Sequence, residues 1–252
     1  MKDNTSSPLI LDNVSHSYGE LAVLQNLDIK VERGEFVVLV GPSGCGKTTL
    51  LNLLSGHLKP TTGKIKAEGI MRTVYQSDGL FPWLTVTENI NMGLRSIADE
   101  SERKKELSEL FELINLQEFK DHYPHELSGG MRQRVELARV LAGDSDILLM
   151  DEPFSALDYQ TRLRLRSELN RLLVKRPRTV VFVTHDIEEA AQLADRVLVL
   201  SNRPATISKE LRIDAKRPRD LTHPAVIEAM RGILAELGLQ TDSSDTNRTH
   251  TP

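Results

Sequence analysis

The sequence is poor in cysteine, in long apolar runs and in net charge, and each shortage excludes a class of protein. Its 252 residues include one cysteine, Cys45, so no disulfide can form within the chain, which is typical of a reducing compartment. No apolar run approaches the roughly 20 residues that span a bilayer. The polar segment 1–8 also lacks the apolar core of a signal peptide. We therefore expect a cytoplasmic protein that reaches any membrane through a partner.

The charges nearly cancel, because 32 lysines and arginines stand against 36 acidic side chains, for a net charge of -4. A phosphate backbone calls for a strongly basic face, so we expect no nucleic acid as the main partner. The seven histidines are scattered, and Pro124 separates the one close pair, His122 and His125. With no cysteine or acidic cluster beside them, they do not predict a metal site.

Four short runs are rich in apolar and β-branched residues and lack the alternation of a half-exposed strand. These runs cover residues 36–40, 147–150, 180–184 and 197–200. Such runs suit strands that are covered on both faces, as in a parallel sheet between helices, so the sequence predicts an α/β fold. Residues 9–14 and 21–31 favour antiparallel strands, with turns at Gly19 and Gly34.

Helical patterns fill much of the domain, which we place at residues 9–240 between a flexible start at 1–8 and a disordered tail at 241–252. One apolar stripe follows the first strand run, and a second lies opposite a charged face further along the chain. The two stripes are Leu50, Leu51, Leu54 and Leu58, and Leu107, Leu110, Phe111 and Ile114. Residues 84–143 show helix patterns and no convincing strand, and they predict a helical subdomain inserted into the α/β core.

Residues 41–48, Gly-Pro-Ser-Gly-Cys-Gly-Lys-Thr, satisfy the phosphate-binding pattern G-x-x-x-x-G-K-[ST] at every fixed position. A predicted strand ends just before the loop and a helix pattern begins just after it, so backbone N–H groups and the positive helix end would meet at one anion site. Lys47 would neutralise the β- and γ-phosphates, and the Thr48 hydroxyl could ligate Mg²⁺. The helix dipole could also activate the Cys45 thiol. A packing role for Cys45 is the alternative.

The run 147–150 leads into two adjacent carboxylates, Asp151 and Glu152. Because neighbouring side chains of an extended chain point in different directions, the two can divide their labour. Asp151 could hold Mg²⁺ beside Thr48, while Glu152 activates a water molecule as a general base. The alternative, that both carboxylates merely solvate a strand end, is disfavoured by the phosphate loop earlier in the chain.

Residues 127–130, Leu-Ser-Gly-Gly, open another helix pattern and form a second anion site without a lysine. With this segment in place, the chain resembles the ATP-binding cassette family over essentially all of residues 9–215. The resemblance implies a P-loop NTPase fold: a RecA-like core with a parallel sheet, an N-terminal antiparallel β portion and an inserted helical subdomain. One departure is Met131, where many family signatures have glutamine.

The resemblance implies a nucleotide site built from several separate motifs. Residues 41–48 look like the Walker A loop, and the expected contacts to nucleotide come from Gly41, Pro42, Ser43, Gly44, Cys45, Gly46, Lys47, Thr48 and Thr49. Tyr18 looks like the aromatic that stacks on adenine, although an ordinary half-buried tyrosine is the alternative. Lys47 is also expected to act in catalysis.

The catalytic and metal-binding roles follow from the same resemblance. Asp151 looks like the Walker B metal ligand and Glu152 like the catalytic glutamate. Gln76 looks like the lid glutamine, which serves both catalysis and the metal. His185 looks like the switch histidine, although it could merely cap a strand end. Residues 155–158 look like the D-loop, with Asp158 near the nucleotide. The implied cofactors are ATP and Mg²⁺.

In the family that the chain resembles, two copies pack head to tail, and ATP lies between the Walker A loop of one and the signature of the other. The resemblance therefore implies a second ATPase subunit as partner, identical or closely homologous, whose Ser128, Gly129 and Gly130 would complete the site. Membrane permease subunits would bind the region 76–83, where Phe81 and Trp83 concentrate apolar surface in a loop. Burial of Trp83 in the core is the alternative.

Three segments narrow the resemblance to bacterial importers of nitrate, aliphatic sulfonates, taurine or bicarbonate. They are Leu-Phe-Pro-Trp-Leu-Thr-Val at 80–86, Glu-Pro-Phe-Ser-Ala-Leu-Asp at 152–158 and Leu-Ser-Asn-Arg-Pro-Ala-Thr at 200–206. The chain would then lie on the cytoplasmic face of the inner membrane, and an extracytoplasmic solute-binding protein would be an indirect partner. A soluble ATPase of the same family, such as one serving iron–sulfur cluster assembly, is the alternative.

Overall fold

The computed structural model describes residues 7–75 and 79–239. Gln76, the tail at 241–252 and most of the expected flexible start lie outside these residues. The strands are β1 (Leu9–Tyr18), β2 (Leu21–Val31), β3 (Phe36–Val40), β4 (Thr62–Ala67), β5 (Met71–Val74), β6 (Ile147–Asp151), β7 (Thr179–Val183), β8 (Arg196–Leu200) and β9 (Ile207–Arg212). The α-helices are α1 (Lys47–Leu54), α2 (Val86–Gly93), α3 (Glu100–Ile114), α4 (Gly129–Leu141), α5 (Tyr159–Lys175), α6 (Ile187–Leu193) and α7 (Pro224–Glu236).

The central sheet has the strand order β5-β6-β7-β3-β8-β9. Its first five strands are parallel, and β9 joins the edge antiparallel to β8. Every residue of β3, β6, β7 and β8 is buried, as the four continuous apolar runs predicted. The predicted α/β fold with a parallel sheet is confirmed.

A second sheet, ordered β2-β1-β4, is antiparallel and covers one face of the first. Alternate side chains of β3 divide between two cores, because successive side chains of a strand point to opposite faces. Val37 and Leu39 pack with the small sheet and α1, whereas Val38 and Val40 pack with the other helices. The turns predicted at Gly19 and Gly34 are present, and both glycines have positive φ angles of 61° and 78°.

Residues 84–143, all of which the structure describes, contain α2, α3, α4 and two short 3-10 turns, and they contain no strand. Each of these helices starts at a side-chain cap. Thr85 forms a capping box with Glu88, Asp99 accepts the N–H of Glu102 at 2.7 Å, and Ser128 caps α4. Across the described residues, no helix is both long and apolar enough to cross a membrane.

Candidate functional site

The loop between β3 and α1 is shaped by glycines that no other residue could replace without strain. Gly46 has φ 121°, and a Cβ added there would lie 2.8 Å from Val23 Cγ1. A Cβ on Gly41 would lie 2.9 Å from the carbonyl oxygen of Leu200. The chain therefore reaches the start of α1 by a tight path in which backbone N–H groups stay uncovered by side chains.

Lys47, the first residue of α1, is buried and bonded to the loop that precedes it. Its Nζ donates to the carbonyl oxygens of Gly41 at 2.8 Å and Pro42 at 3.0 Å. The first turn of α1 carries no acidic residue that would neutralise the positive helix end. One ammonium group and one helix N-terminus therefore combine at the loop to favour an anion.

Asp151 ends β6 beside the start of α1, and its carboxylate is hydrogen-bonded to the Thr48 side chain. Only 3% of Asp151 is exposed, and burial raises the pKa of its carboxyl group. The Thr48 hydrogen bond opposes that rise, the Glu152 charge adds to it, and the Lys47 charge lowers it.

This pair of oxygen donors fits Mg²⁺, which prefers one or two protein carboxylates and takes its other ligands from water and phosphate. Within the described residues, no three histidine, cysteine, aspartate or glutamate side chains are grouped to hold a metal without such help. A cation beside the buried Asp151 would favour its ionised form.

Glu152 leaves the strand by a route that the sequence did not predict. It has a left-handed φ of 47°, so it is not extended, and the expectation that strand alternation separates Asp151 from Glu152 is wrong. The Glu152 N–H remains bonded to the Val183 carbonyl at 2.9 Å, and the Glu152 charge acts on the Asp151 carboxyl group and raises its pKa. A left-handed non-glycine residue is a strained conformation that is typical of functional sites.

His185 follows β7 and approaches the same carboxylate. Its Nδ1 lies 3.1 Å from Glu152 Oε1, and its side chain is 66% exposed, against 19% for Glu152. The residue after it, Asp186, is the N-cap of α6 and accepts the Glu189 N–H at 3.1 Å. His185 therefore does not cap α6, and its imidazole lies against the Glu152 carboxylate.

One cleft of about 660 Å³ gathers half of the predicted site residues. Its lining includes Tyr18, Ser43, Gly44, Gly46, Lys47, Thr48, Thr49, Glu152 and His185. Tyr18 stands at its wall, half exposed and in edge contact with His16 at 4.8 Å between ring centroids. Gln76 lies outside the described residues, so its place relative to this cleft is not part of the structure.

Arg203 also lines the cleft, although no motif of the sequence indicated it as a site residue. The loop that follows β8 pairs with β2, where the Ala205 N–H donates to the Val23 carbonyl at 2.8 Å. That pairing brings the Arg203 guanidinium to the phosphate loop. Its Nη2 lies 3.3 Å from the position that a Cβ would occupy if Gly44 had a side chain. Only the long-range pairing of the two segments could have revealed it.

The Cys45 side chain points away from the cleft. It is 2% exposed and packs in the core beneath the small sheet. Burial of the thiol favours the packing interpretation over a reactive cysteine. Any contact of residue 45 with a nucleotide would come from its backbone.

The signature segment and the D-loop lie outside this cleft. Ser128 caps α4 by accepting the Met131 N–H at 3.3 Å, and a Cβ on Gly130 would lie 3.0 Å from the Ala156 carbonyl oxygen. Asp158 caps α5 by accepting the Thr161 N–H at 3.0 Å, and hydrogen bonds from Thr161 lower the pKa of its carboxyl group. Neither Ser128, Gly129, Gly130 nor Asp158 lines the cleft of the described chain.

The loop before α2 displays its aromatic residues on the surface. Trp83 is 69% exposed, so the alternative that it fills the core is wrong. Asn89, fully buried, holds the loop by accepting the Phe81 N–H at 2.9 Å and donating to the Phe81 carbonyl at 3.2 Å. The loop is thus fixed, while the indole remains free to contact another protein.

Comparisons with known proteins agree with this geometry. A family model described as ABC transporter matches residues 24–155. An uncharacterized ABC transporter ATP-binding protein of Methanocaldococcus jannaschii is 41% identical over 246 residues, which are 92% of each chain. An aliphatic sulfonates import ATP-binding protein of Rhodococcus jostii is 43% identical over 217 residues, covering 84% of this chain and 85% of the relative.

A nitrate import ATP-binding protein of Synechocystis is 43% identical over 218 residues, covering 81% of this chain and 82% of the relative. Among solved structures, a dimeric ATP-binding cassette in a post-hydrolysis state, bound to ADP and Pi, is similar with a TM-score of 0.73. That cassette is 32% identical, and the match covers 82% of this chain and 100% of the other.

Proposed function

We propose, from the premise that this chain belongs to the ATP-binding cassette (ABC) transporter family, that it is the ATP-hydrolysing subunit of a bacterial importer of a small anion. Members of the family bind ATP and hydrolyse it, and the chain is an ATPase of this kind. The observation that carries the proposal is the cleft, in which the phosphate loop, the Glu152 carboxylate and the His185 imidazole line one cavity.

Each group of the cleft has a task in ATP hydrolysis. Lys47 and the N–H groups of the loop bind the β- and γ-phosphates, and Tyr18 stacks on the adenine. Glu152 accepts the proton of the attacking water as general base. His185, 3.1 Å from that carboxylate, orients the water and the γ-phosphate.

Thr48 and Asp151 hold Mg²⁺, and the resemblance adds Gln76 to this set. When bound, the ion neutralises charge on the β- and γ-phosphates. The buried carboxylate of Asp151, already hydrogen-bonded to the Thr48 side chain, supports this assignment.

A second copy completes the site. Ser128, Gly129 and Gly130 lie at the start of α4 and do not line the cleft of their own chain. One related cassette, at 32% identity to this chain, has been solved as a dimer in two structures. In a head-to-tail pair, the start of α4 in one copy would add charge-assisted hydrogen bonds to the γ-phosphate held by the other. Asp158 lies near the same interface.

The import of a small anion rests on the relatives. Those that import sulfonates and nitrate are 43% identical to this chain over more than four fifths of its length. Nitrate, aliphatic sulfonates, taurine and bicarbonate form the proposed substrate class. Transport places the chain on the cytoplasmic face of the inner membrane, bound to permease subunits, with a solute-binding protein outside the cell. The exposed loop of Phe81 and Trp83 is the proposed contact with the permease.

The test is co-purification of the tagged chain with a permease from detergent-solubilised membranes. Trp83→Asp should abolish the complex, because a charge on the exposed indole position opposes burial against an apolar partner. Ile70→Asp is the matched control, since Ile70 is an apolar residue with 57% exposure on a different part of the surface. ATP binding by the isolated Trp83→Asp variant should stay within twofold of the unchanged protein, roughly the scatter of a neutral surface change. A stable complex with cytosolic scaffold proteins and none with a permease would contradict the importer assignment.

A further inference from the structure

Gln133 is a buried amide that ties the signature helix to the catalytic loop of the same copy. It lies one turn into α4 and is 8% exposed. Its Nε2 donates to the Glu152 carbonyl oxygen at 3.1 Å and to Ser155 Oγ at 3.3 Å. Its Oε1 accepts the N–H of Ala156 at 3.0 Å. One side chain thus contacts the residue proposed as general base and two residues of the D-loop.

The loop that Gln133 holds is itself braced at both ends. The Ser155 hydroxyl and the Ser155 N–H both donate to the Glu152 carbonyl, at 3.0 Å and 3.1 Å. At the far end, Arg162 Nη2 donates to the Leu157 carbonyl at 3.1 Å. Glu152, strained at its left-handed φ, therefore depends on this loop for its position.

The other end of the same helix is the surface proposed to meet the ATP of the partner copy. Ser128 caps α4, and Gln133 follows on the next turn of the helix. Ser128 and Gln133 are five residues apart, which is about 7.5 Å along the helix axis. A displacement of the helix start by the partner's γ-phosphate can therefore reach the Glu152 loop, and Gln133 provides the side-chain hydrogen bonds from α4 to that loop.

We propose that Gln133 is a positioning residue that couples the two ATP sites of the dimer. Contact between Ser128 and the ATP of one site sets the Glu152 of the other site through the hydrogen bonds of Gln133. This inference rests on the proposed head-to-tail dimer. The amide suits the task because it offers a donor to two oxygens and an acceptor to one N–H group, which neither glutamate nor methionine can do.

The coupling is tested in dimers made of two differently tagged full-length copies. The second copy carries Glu152→Gln, so turnover occurs only at the site that uses Glu152 of the first copy. Ser128 of the first copy contacts only the ATP of the inactive site. Ser128→Ala in the first copy should nevertheless lower turnover at least about fivefold, the low end of coupling between sites.

Gln133→Met in the first copy keeps the volume of the side chain and removes its hydrogen bonds. In that background, adding Ser128→Ala should change turnover by less than about twofold, because the connection is already lost. Gln133→Glu keeps the acceptor for Ala156 and loses the donors, so it should behave like Gln133→Met. Gln117→Glu makes the same charge change at an exposed position on a 3-10 turn, so it is the matched control. It should behave like the unchanged protein.

Two outcomes overturn the coupling. One is that Ser128→Ala in the first copy leaves turnover at the active site unchanged. The other is that Ser128→Ala lowers turnover by the same factor in the unchanged background and in the Gln133→Met background. Gln133 would then have only a packing role. A failure of the proposed function gives a different result. The two copies, with Glu152→Gln in the second copy as the only substitution, would then neither pair nor hydrolyse ATP.

Discussion

Replacing Glu189 with glutamine should remove a pH dependence from the stability of the protein. Glu189 lies on α6, and its side chain is 4% exposed. Burial raises the pKa of its carboxyl group from 4.5 to about 7. A 2.6 Å hydrogen bond from the Thr184 hydroxyl and the charges of Arg166 and Arg162 oppose this rise, and the Asp186 charge adds to it.

The direction of the effect follows from where each state loses its proton. The unfolded chain releases the Glu189 proton near pH 4.5, whereas the folded protein keeps it until about pH 7. Between these values the folded state binds more protons, so its stability falls as the pH rises. At about 1.4 kcal/mol for each pH unit, the loss amounts to about 3 kcal/mol and is complete above pH 7.

This loss of stability is measured by urea unfolding at several pH values between 4.5 and 8. The Glu189→Gln variant and the unchanged protein are compared at each pH. The stability of the variant relative to the unchanged protein should increase by about 3 kcal/mol over that interval. Glu188→Gln is the matched control, because it makes the same charge change one residue away at a side chain that is 38% exposed. Parallel stability curves for Glu189→Gln and the unchanged protein would refute the reasoning.

Two predictions concern the cleft. Glu152→Gln should leave ATP binding intact, slow turnover on the order of 100-fold or more and trap an ATP-bound dimer, because the water loses its base while the phosphate contacts remain. Near-normal hydrolysis in a phosphate-release assay would exclude Glu152 as the base. Lys47→Ala should weaken ATP binding in calorimetry at least about tenfold, the low end for the loss of a charged hydrogen bond, and turnover should be lost with it. Unchanged affinity would show that the ammonium does not meet the phosphates.

Four strands of the central sheet, β3, β6, β7 and β8, were predictable because burial on both faces leaves a continuous apolar run. The antiparallel strands β1 and β2 were also predicted, whereas β4, β5 and β9 were missed. β4 reads Thr-Gly-Lys-Ile-Lys-Ala and is almost wholly exposed, and β9 has four polar residues among its six and alternates half-buried with exposed positions at the sheet edge. Their pairing with neighbouring strands, which are distant in sequence, makes them strands.

The candidate site divides in the same way. The phosphate loop is local, because eight consecutive residues contain the glycines, the lysine and the hydroxyl that the geometry needs. Arg203 and Gln133 carry no such signal. Arg203 enters the cleft through the pairing of Ala205 with Val23, and Gln133 reaches Glu152 through the packing of α4 on the D-loop.

The sequence by itself determined which residues can bind phosphate, hold a metal ion and activate water, because these properties belong to short motifs and to side-chain chemistry. The tertiary structure decided where these groups meet. It gave Glu152 a left-handed backbone directly after Asp151, buried the thiol of Cys45, and kept Ser128 out of the cleft of its own chain. Such placements depend on contacts between segments far apart in the chain, and a local pattern of residues cannot encode them.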